Sequence, residues 1–273
     1  MALTLSLAGK VALVTGGSRG IGAETVRLFS TAGARVAFNY RRAKAEAELL
    51  VEQCGGEERC NAFQQDLATP EEGRLLIERT VSSFGRLDCL VVNHGIWPSQ
   101  DVSIAAMQDS QWRHTMGVNL DSVFGLVQAA VKQIKTQPSN HLDRRAGQDG
   151  ESKEGRGYIV LVSSTAGQRG EAFHADYAVS KGAIISLTKS LSSELARDGI
   201  RVNCVAPGWV ATDMSKPALN DSKRREQIFS TIPLGRVATP TEIAGPILFL
   251  CTSYAGFMSG EIVNVNGGAV LVG

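Results

Sequence analysis

The feature that most constrains this chain of 273 residues is an alternation of short apolar runs with longer amphipathic ones. Apolar runs lie at residues 10–15, 35–40, 87–93 and 158–163, and helical patterns separate them. Strands that are apolar almost throughout have to be covered on both faces, which is typical of a parallel sheet. Right-handed crossovers then predict a doubly wound α/β fold of mostly seven parallel strands, with helices on both faces.

The alternation has no obvious break, so we expect a single domain over residues 1–273. Two stretches are irregular. Residues 138–156 are polar, rich in Gly, Asp, Arg and Ser, and too long for an ordinary connection, which predicts a surface insertion. Residues 208–231 mix a proline, charges and apolar side chains, which predicts a lid over a substrate.

The charge balance argues against several classes of partner. The chain carries 28 Lys and Arg against 27 Asp and Glu, and its basic residues form no stripe with interleaved aromatic residues. Neither nucleic acid nor an anionic membrane surface is therefore expected as a partner. No apolar run approaches the roughly 20 residues that span a bilayer, and the first residues do not read as a signal peptide. We expect a cytoplasmic protein.

The five cysteines favour neither a disulfide framework nor a zinc site. Their number is odd, and no two of them have the Cys-x-x-Cys spacing. Most are expected to be small apolar filler in a reduced compartment, and no metal is expected.

A glycine-rich turn, TGGSRGIG at residues 15–22, joins the first predicted strand to the first helix. Gly16 can take a left-handed turn, and Gly20 and Gly22 let a phosphate and a strand approach the helix closely. The N-terminus of a helix favours an anion, so this strand–turn–helix setting predicts dinucleotide binding. The turn lacks the Gly-Lys-Ser/Thr ending of ATP and GTP sites, which disfavours those ligands.

The end of the second strand indicates which dinucleotide is bound. An NAD site usually places Asp or Glu there to hold the ribose 2′-hydroxyl, but residues 39–42 read NYRR and the next acidic residue is Glu46. Arginine can bind a 2′-phosphate with two hydrogen bonds, and Arg19 in the turn can supply a further cation. NADP(H) is therefore preferred over NAD(H). Asp66, after the third strand, can accept a hydrogen bond from adenine, or cap a helix.

A tyrosine and a lysine, Tyr177 and Lys181, lie four residues apart on a predicted helix and therefore share one face. A nearby ammonium favours the phenolate, and lowering a tyrosine pKa by about three units takes roughly 4 kcal/mol. Such a tyrosine can exchange a proton with a carbonyl or alcohol oxygen near neutral pH. Ser164 follows an apolar strand and can place its hydroxyl at the ligand crevice, or simply form a turn.

Together these features resemble the short-chain dehydrogenase/reductase family. The resemblance runs in order across almost the whole chain and includes several motifs at consistent spacing. It is nearest to the 3-oxoacyl-acyl-carrier-protein reductase branch, and it implies a single-domain Rossmann fold. The matching motifs are the TGxxxGIG turn at 15–22, Asp66-Leu67, Asn93-His94-Gly95, Asn119, Ser164, YAVSK at 177–181, and Pro207-Gly208 followed by Thr212.

The resemblance implies a role for each residue. Tyr177 is the implied general acid and base, and Ser164 orients the substrate oxygen. Lys181 holds the nicotinamide ribose and lowers the pKa of the tyrosine, and Asn119 supports a proton-relay water. The residues expected to bind the cofactor are Gly16, Ser18, Arg19, Ile21, Tyr40, Arg41, Arg42, Asp66, Leu67, Asn93, Gly95, Tyr177, Lys181, Pro207, Gly208, Val210 and Thr212.

The chain also departs from the family pattern. Members often read Asn-Asn-Ala-Gly where this chain has VNHG at 92–95, which alters local strand support. His94 can contact the cofactor or pack, and packing is favoured. Asn266 stands where Asp is frequent. No proposed catalytic residue is lost.

The implied activity is reduction of a ketone, with a 3-oxoacyl thioester as one substrate and a sugar, steroid-like or xenobiotic compound as others. Alternatives are a non-catalytic nucleotide sensor or scaffold on the same fold, and a nucleotide-sugar epimerase or dehydratase, which usually needs a larger C-terminal domain. The candidate substrate-lining residues, each of which can instead be core, are Ile96, Arg169, Phe173, Trp209 and Met214.

Two kinds of protein partner follow from the resemblance. The family usually forms tetramers through two long helices, here residues 109–135 and 176–197, so a homotetramer or a dimer is expected. Lys132 and Lys135 can dock an acidic acyl carrier protein, or form an ordinary solvated helix face.

Overall fold

The computed structural model describes residues 4–138 and 156–272. Within them the strands form one parallel sheet in the order β3-β2-β1-β4-β5-β6-β7. The predicted insertion at 138–156 lies, apart from its two end residues, outside the described residues. The strands are β1 (Val11–Val14), β2 (Arg35–Tyr40), β3 (Cys60–Gln64), β4 (Cys89–Val92), β5 (Gly157–Val162), β6 (Ile200–Pro207) and β7 (Ile262–Val265).

Helices connect the strands and cover the sheet. Two of them, α3 and α10, begin with a Thr-Pro pair and a capping box, which satisfies amide groups of the first turn. The helices are α1 (Gly20–Thr31), α2 (Lys44–Gln53), α3 (Pro70–Phe84), α4 (Asp109–Met116), α5 (Ser122–Thr136), α6 (Thr165–Arg169), α7 (Ala175–Leu195), α8 (Lys216–Asn220), α9 (Ser222–Ser230) and α10 (Pro240–Leu250).

The core has two layers, one on each face of the sheet. In β1, Ala12 and Val14 belong to an apolar cluster with residues of α1, α2 and α10. Val11 and Leu13 point the other way, into a cluster with residues of α3, α5 and α7. Successive side chains of a strand alternate between faces, so apolar residues at every position require both layers. The predicted doubly wound α/β sheet is confirmed.

The strand order places the ends of β1 and β4 side by side. The chain runs outward from β1 through β2 to β3, and then returns to β4 on the other side of β1. In open parallel sheets, ligands bind outside the carboxyl ends of the strands where the order reverses. The glycine turn after β1 and the residues after β4 therefore meet at one edge.

Local structure differs from the sequence-based expectation in two places. The stretch 208–231, expected to be irregular, contains α8 and α9, and Asp221 caps α9 by accepting a hydrogen bond from the Arg224 amide. The helical pattern at 109–135 is interrupted by a π-helical turn, Gly117–Asp121. One extra residue in a helical turn leaves no clear mark on hydrophobic spacing, so the pattern did not reveal it.

The described part of the chain contains neither a candidate membrane span nor a candidate metal cluster. No helix in 4–138 or 156–272 has the length and apolarity needed to cross a membrane. Over the same residues, no three His, Cys, Asp or Glu side chains are grouped as a metal site would require.

Candidate active site

A cavity of about 850 Å³ opens at the carboxyl edge of the sheet, between the glycine turn and the residues that follow β4, β5 and β6. It contains every residue expected to bind the cofactor and three of the four expected catalytic residues. Those lining it are Gly16, Ser18, Arg19, Ile21, Tyr40, Arg41, Arg42, Asp66, Leu67, Asn93, Gly95, Ser164, Tyr177, Lys181, Pro207, Gly208, Val210 and Thr212.

The glycine turn forms one wall and is held from below by β2. Gly16 has a φ of +65°, and its amide donates to the Asn39 side chain at 2.9 Å. A Cβ on Gly22 would lie 2.1 Å from the Gly16 carbonyl oxygen, so no larger residue fits there. Helix α1 starts without a side-chain cap, which leaves amide groups of its first turn for an anion. This backbone cradle fits a dinucleotide pyrophosphate.

The cavity wall formed by the glycine turn ends in a region that is basic and open to solvent. The Arg19 guanidinium lies 3.8 Å from Asp213, and that of Arg41 lies 3.9 Å from Asp66. These side chains are 68% and 45% exposed, so both ion pairs are weak and screened. The Asp66 carboxylate also accepts from the Leu67 amide at 3.0 Å. Adenine recognition by Asp66 stays a prediction.

Tyr177, Lys181 and Ser164 converge on the other side of the cavity. The Lys181 ammonium donates to the Val162 carbonyl at 2.8 Å and lies 5.9 Å from the centre of the Tyr177 ring. Ser164 caps α6 by accepting from the Ala166 amide at 3.1 Å, and its side chain is hydrogen-bonded to that of Tyr177. The single Ser164 hydroxyl proton can turn either to the Tyr177 oxygen or to a substrate oxygen.

The protein groups by themselves do not lower the pKa of Tyr177. Burial of the phenol raises its pKa to about 12, the hydrogen bond from Ser164 lowers it, and the charge of Glu171 raises it. Burial also lowers the pKa of Lys181 to about 8. Burial is the largest cause of both shifts, because it disfavours the charged form of each group.

Asn119 is buried behind the cavity wall and does not line it. It lies in the π-helical turn, where its side chain accepts from the Ile96 amide at 2.8 Å and donates to the Ile96 carbonyl and to Ser180 Oγ, both at 3.0 Å. A Cβ on Gly95 would lie 3.2 Å from Asn119 Oδ1 and 3.4 Å from Lys181 Nζ. The loop after β4 is thus packed directly on the catalytic side chains.

The substrate end of the cavity is aromatic. Trp97 stacks on His174 with ring centres 4.8 Å apart and meets the edge of Trp209 at 5.9 Å. The Arg224 guanidinium of α9 lies 5.9 Å from the Trp97 ring centre, so the 208–231 stretch contacts this wall. Burial raises the pKa of Glu171, which lines the same end.

Most of the predicted substrate-lining residues are in place. Ile96, Arg169, Trp209 and Met214 line the cavity, whereas Phe173 does not and is 56% exposed. Phe173 adopts a positive φ of 66°, and its backbone carbonyl accepts from the Val102 amide.

Sequence reasoning missed three contributing residues, Asn39, Trp97 and Glu171. The polar Asn39 inside an apolar strand was a usable signal. Trp97 and Glu171 lie in loops without periodicity, and nothing in the sequence separates them from other loop residues.

The comparisons with known proteins agree with this geometry. A family model described as enoyl-(acyl carrier protein) reductase matches residues 16–270. The chain is 37% identical over 260 residues to the 3-oxoacyl-acyl-carrier-protein reductase FabG of Staphylococcus aureus, covering 95% of this chain and 97% of the relative.

Solved structures give the same picture. A Brucella melitensis protein described as a short-chain dehydrogenase/reductase, glucose/ribitol dehydrogenase, superposes with a TM-score of 0.85 at 30% identity and covers 99% of this chain and 100% of that one. A Beutenbergia cavernae protein described as an NAD(P)-dependent gluconate 5-dehydrogenase, with bound NADP, gives 0.84 at 32% identity, covering 98% and 99%. The chain therefore belongs to the short-chain dehydrogenase/reductase family and is an NAD(P)-dependent oxidoreductase acting on carbonyl and alcohol groups.

Proposed function

We propose that the protein uses NADPH to reduce a ketone to a secondary alcohol, with Tyr177 as the general acid. The observation that carries this proposal is the convergence of Ser164, Tyr177 and Lys181 in one cavity that begins at the glycine turn. A non-catalytic sensor on the same fold would have no need for these three side chains together. The epimerase and dehydratase alternatives find no support in the family relatives.

In the proposed reaction the glycine turn and Lys181 would hold the nicotinamide cofactor, which would supply the hydride for the carbonyl carbon. Tyr177 donates its hydroxyl proton to the carbonyl oxygen, and Ser164 donates a hydrogen bond to the same oxygen, which orients it. Lys181 holds the nicotinamide ribose, and its ammonium favours the phenolate that remains. Asn119 keeps the loop after β4 against these groups. One hydride and one proton added to the C=O bond give the alcohol.

The proposed cofactor is NADP(H) in preference to NAD(H). Arg41 and Arg42, directly after β2, and Arg19, in the glycine turn, line the cavity, and no acidic residue occupies the end of β2. Guanidinium groups suit a 2′-phosphate, and a carboxylate at the strand end would repel it. One structural relative was crystallised with NADP, which agrees with this preference.

The proposed first substrate is a 3-oxoacyl thioester, because relatives that match nearly the whole chain reduce such compounds by name. A sugar-like ketone is the second candidate, because a structural relative is described as a glucose/ribitol dehydrogenase. Docking of an acyl carrier protein through Lys132 and Lys135 is weakened, since Lys135 is paired with Asp198 at 2.8 Å.

A homotetramer or dimer is part of the proposal. Phe124 on α5 is 51% exposed, Val179 on α7 is 46% exposed, and Leu75 on α3 is 48% exposed. Apolar side chains on these helices suit burial against another copy of the chain. The cytoplasmic location stays a prediction.

The test is a panel of simple ketones, sugar ketones and 3-oxoacyl thioesters on carrier protein and on a small thiol, followed by NADPH absorbance with NADH in parallel. We expect turnover of at least one ketone with NADPH, at a kcat/KM at least tenfold above that with NADH. Absence of turnover with every ketone, together with tight NADPH binding, would favour the sensor.

A further inference from the structure

His94 stands just after β4 and connects two elements through its ring. Nδ1 lies 2.7 Å from Thr15 Oγ1, directly after β1, and Nε2 lies 2.8 Å from Ser122 Oγ, at the start of α5. Both partner side chains are fully buried, whereas His94 itself is partly buried. The ring therefore spans from the strand that carries the glycine turn to the helix that follows Asn119.

The surrounding hydrogen bonds fix which ring nitrogen carries the proton. Ser122 Oγ donates its one proton to the Val118 carbonyl at 2.9 Å, so it accepts from His94 Nε2. Thr15 Oγ1 accepts from the amides of Asn93 and His94, at 3.0 and 3.2 Å. Its proton can go to Nδ1 at 2.7 Å or to the Val91 carbonyl at 3.4 Å, and the shorter distance favours Nδ1. A neutral imidazole protonated on Nε2 satisfies every one of these groups.

The electrostatics of the ring agree with that tautomer. Burial and, as the smaller cause, the positive charge of Lys181 together lower the pKa of His94 to about 3, against a backbone hydrogen bond with Val118 that raises it. The ring is thus neutral at physiological pH, when Nδ1 can accept a hydrogen bond.

The chain of hydrogen bonds ends in the π-helical turn that carries Asn119. The Val118 carbonyl, which receives the Ser122 proton, belongs to the residue just before Asn119. Ile96, two residues after His94, contacts the Asn119 side chain through both of its backbone groups. Residues 94–96 therefore hold this turn at two points, through the His94 ring and through the Ile96 backbone.

We propose that His94 is a positioning residue, whose neutral ring holds the turn 117–121, and with it Asn119, against the end of β1. This role in catalysis rests on the proposed function. The ring makes its side-chain hydrogen bonds to Thr15 and Ser122, and His94 also lines the cavity that contains Tyr177 and Lys181. Loss of its hydrogen bonds should therefore loosen the turn and slow the chemical step without removing a catalytic side chain.

Amide hydrogen exchange tests, without any substrate, whether His94 stabilises the turn 117–121. His94→Leu and Ser122→Ala should each speed exchange of amides in 117–121 about tenfold, the size expected for loss of one buried hydrogen bond. Thr80→Val is the matched control, because Thr80 is also buried and donates to the carbonyl four residues earlier, at 2.9 Å on α3. Unchanged exchange in both test variants overturns the proposal.

Steady-state kinetics test whether this positioning of the turn 117–121 by His94 affects the reaction. His94→Leu and Ser122→Ala should each lower kcat about tenfold and change KM for NADPH less than threefold. Because both substitutions break the same chain of hydrogen bonds, the kcat of the double variant should be no lower than the lower of the two single-variant kcat values. His94→Gln can still donate toward Ser122 and should recover most of the lost kcat.

The alternative outcomes are distinct. Two results would assign His94 to the glycine turn alone and overturn the proposal. One is a double variant whose loss of kcat is the product of the two single losses, and the other is a raised KM for NADPH at unchanged kcat. If the wild-type protein reduces no ketone, the proposed function fails, whereas hydrogen exchange still decides whether His94 holds the turn. Should His94→Leu not fold, Ser122→Ala alone tests loss of the contact, and His94→Gln remains the variant expected to keep it.

Discussion

The two ends of the cavity are built differently. At the catalytic end, Lys181 and Asn119 are 5% and 1% exposed, and each has short hydrogen bonds to backbone groups. At the basic end, the side chains of Arg19 and Arg41 are 68% and 45% exposed and make only ion pairs near 4 Å. One end is fixed by buried hydrogen bonds, and the other presents mobile charges.

This difference matches what each end has to do. Proton transfer depends on the position of atoms within a few tenths of an ångström, and buried hydrogen bonds supply that accuracy because breaking one leaves a group unsatisfied. Recognition of a phosphate depends mainly on charge, which flexible arginines can supply across water. Changes at the catalytic end should therefore act on kcat, and changes at the basic end on cofactor KM.

The largest effect is expected at the catalytic end. Lys181→Met should lower kcat/KM about a thousandfold, because it removes the cation beside the phenol and a contact to the cofactor. Lys189→Met, an exposed lysine two turns further along α7, should have little effect. Steady-state kinetics with NADPH and the best ketone give the comparison. A kcat/KM in Lys181→Met above one tenth of the wild-type value would contradict the stronger dependence of the reaction on the catalytic end.

A smaller, different effect is expected at the basic end. Replacing Arg41 and Arg42 together by Ala should raise KM for NADPH about 10–100-fold, the value of one or two charged hydrogen bonds, and leave KM for NADH and kcat unchanged. The effect should shrink at high salt, since these side chains are exposed. Arg197→Ala is the control. An equal loss with NADH would contradict phosphate recognition.

The smallest effect concerns stability and pH. The folded-state pKa of His94 is about 3, below the usual value of about 6.5 in an unfolded chain, so the unfolded state binds the extra proton between these values. Stability should therefore fall as the pH drops below about 6.5, by about 2 kcal/mol between pH 8 and pH 5. Urea unfolding at several pH values measures this.

A matched pair of variants isolates the histidine in that experiment. His94→Gln should lose this part of the pH dependence, and His114→Gln, at an exposed position on α4, should keep it. The same slope in His94→Gln as in wild type would show that the ring does not stay neutral in the folded protein.

The sheet could be predicted from the sequence because it follows from repeated local patterns. Apolar strands such as β5 and helix starts such as Thr69-Pro70 are visible without tertiary contacts. The residues that line the cavity were expected partly from the glycine turn between strand and helix and partly from the motifs of the family resemblance. Both depend on short-range chemistry, which a single sequence carries.

Other features depend on what the fold brings together. The bridge from Thr15 through His94 to Ser122 joins residues up to 107 positions apart, and no spacing predicts it. The pKa of Tyr177 could not be predicted either, because its direction depends on burial and on the nearby Ser164 and Glu171, which only the fold brings to it. The helices α8 and α9 were not predicted, because both are short and the polar α9 packs mainly through Ile228.

The most direct test of the central claim is Tyr177→Phe, compared with Tyr254→Phe, which changes an exposed tyrosine away from the cavity. NADPH-dependent reduction of the best ketone and NADPH affinity are measured for both. We predict that Tyr177→Phe lowers kcat by about 10²–10⁴-fold, the usual contribution of a general acid, and keeps NADPH affinity within threefold, while Tyr254→Phe matches wild type. Wild-type turnover in Tyr177→Phe would contradict the assignment of Tyr177 as the proton donor.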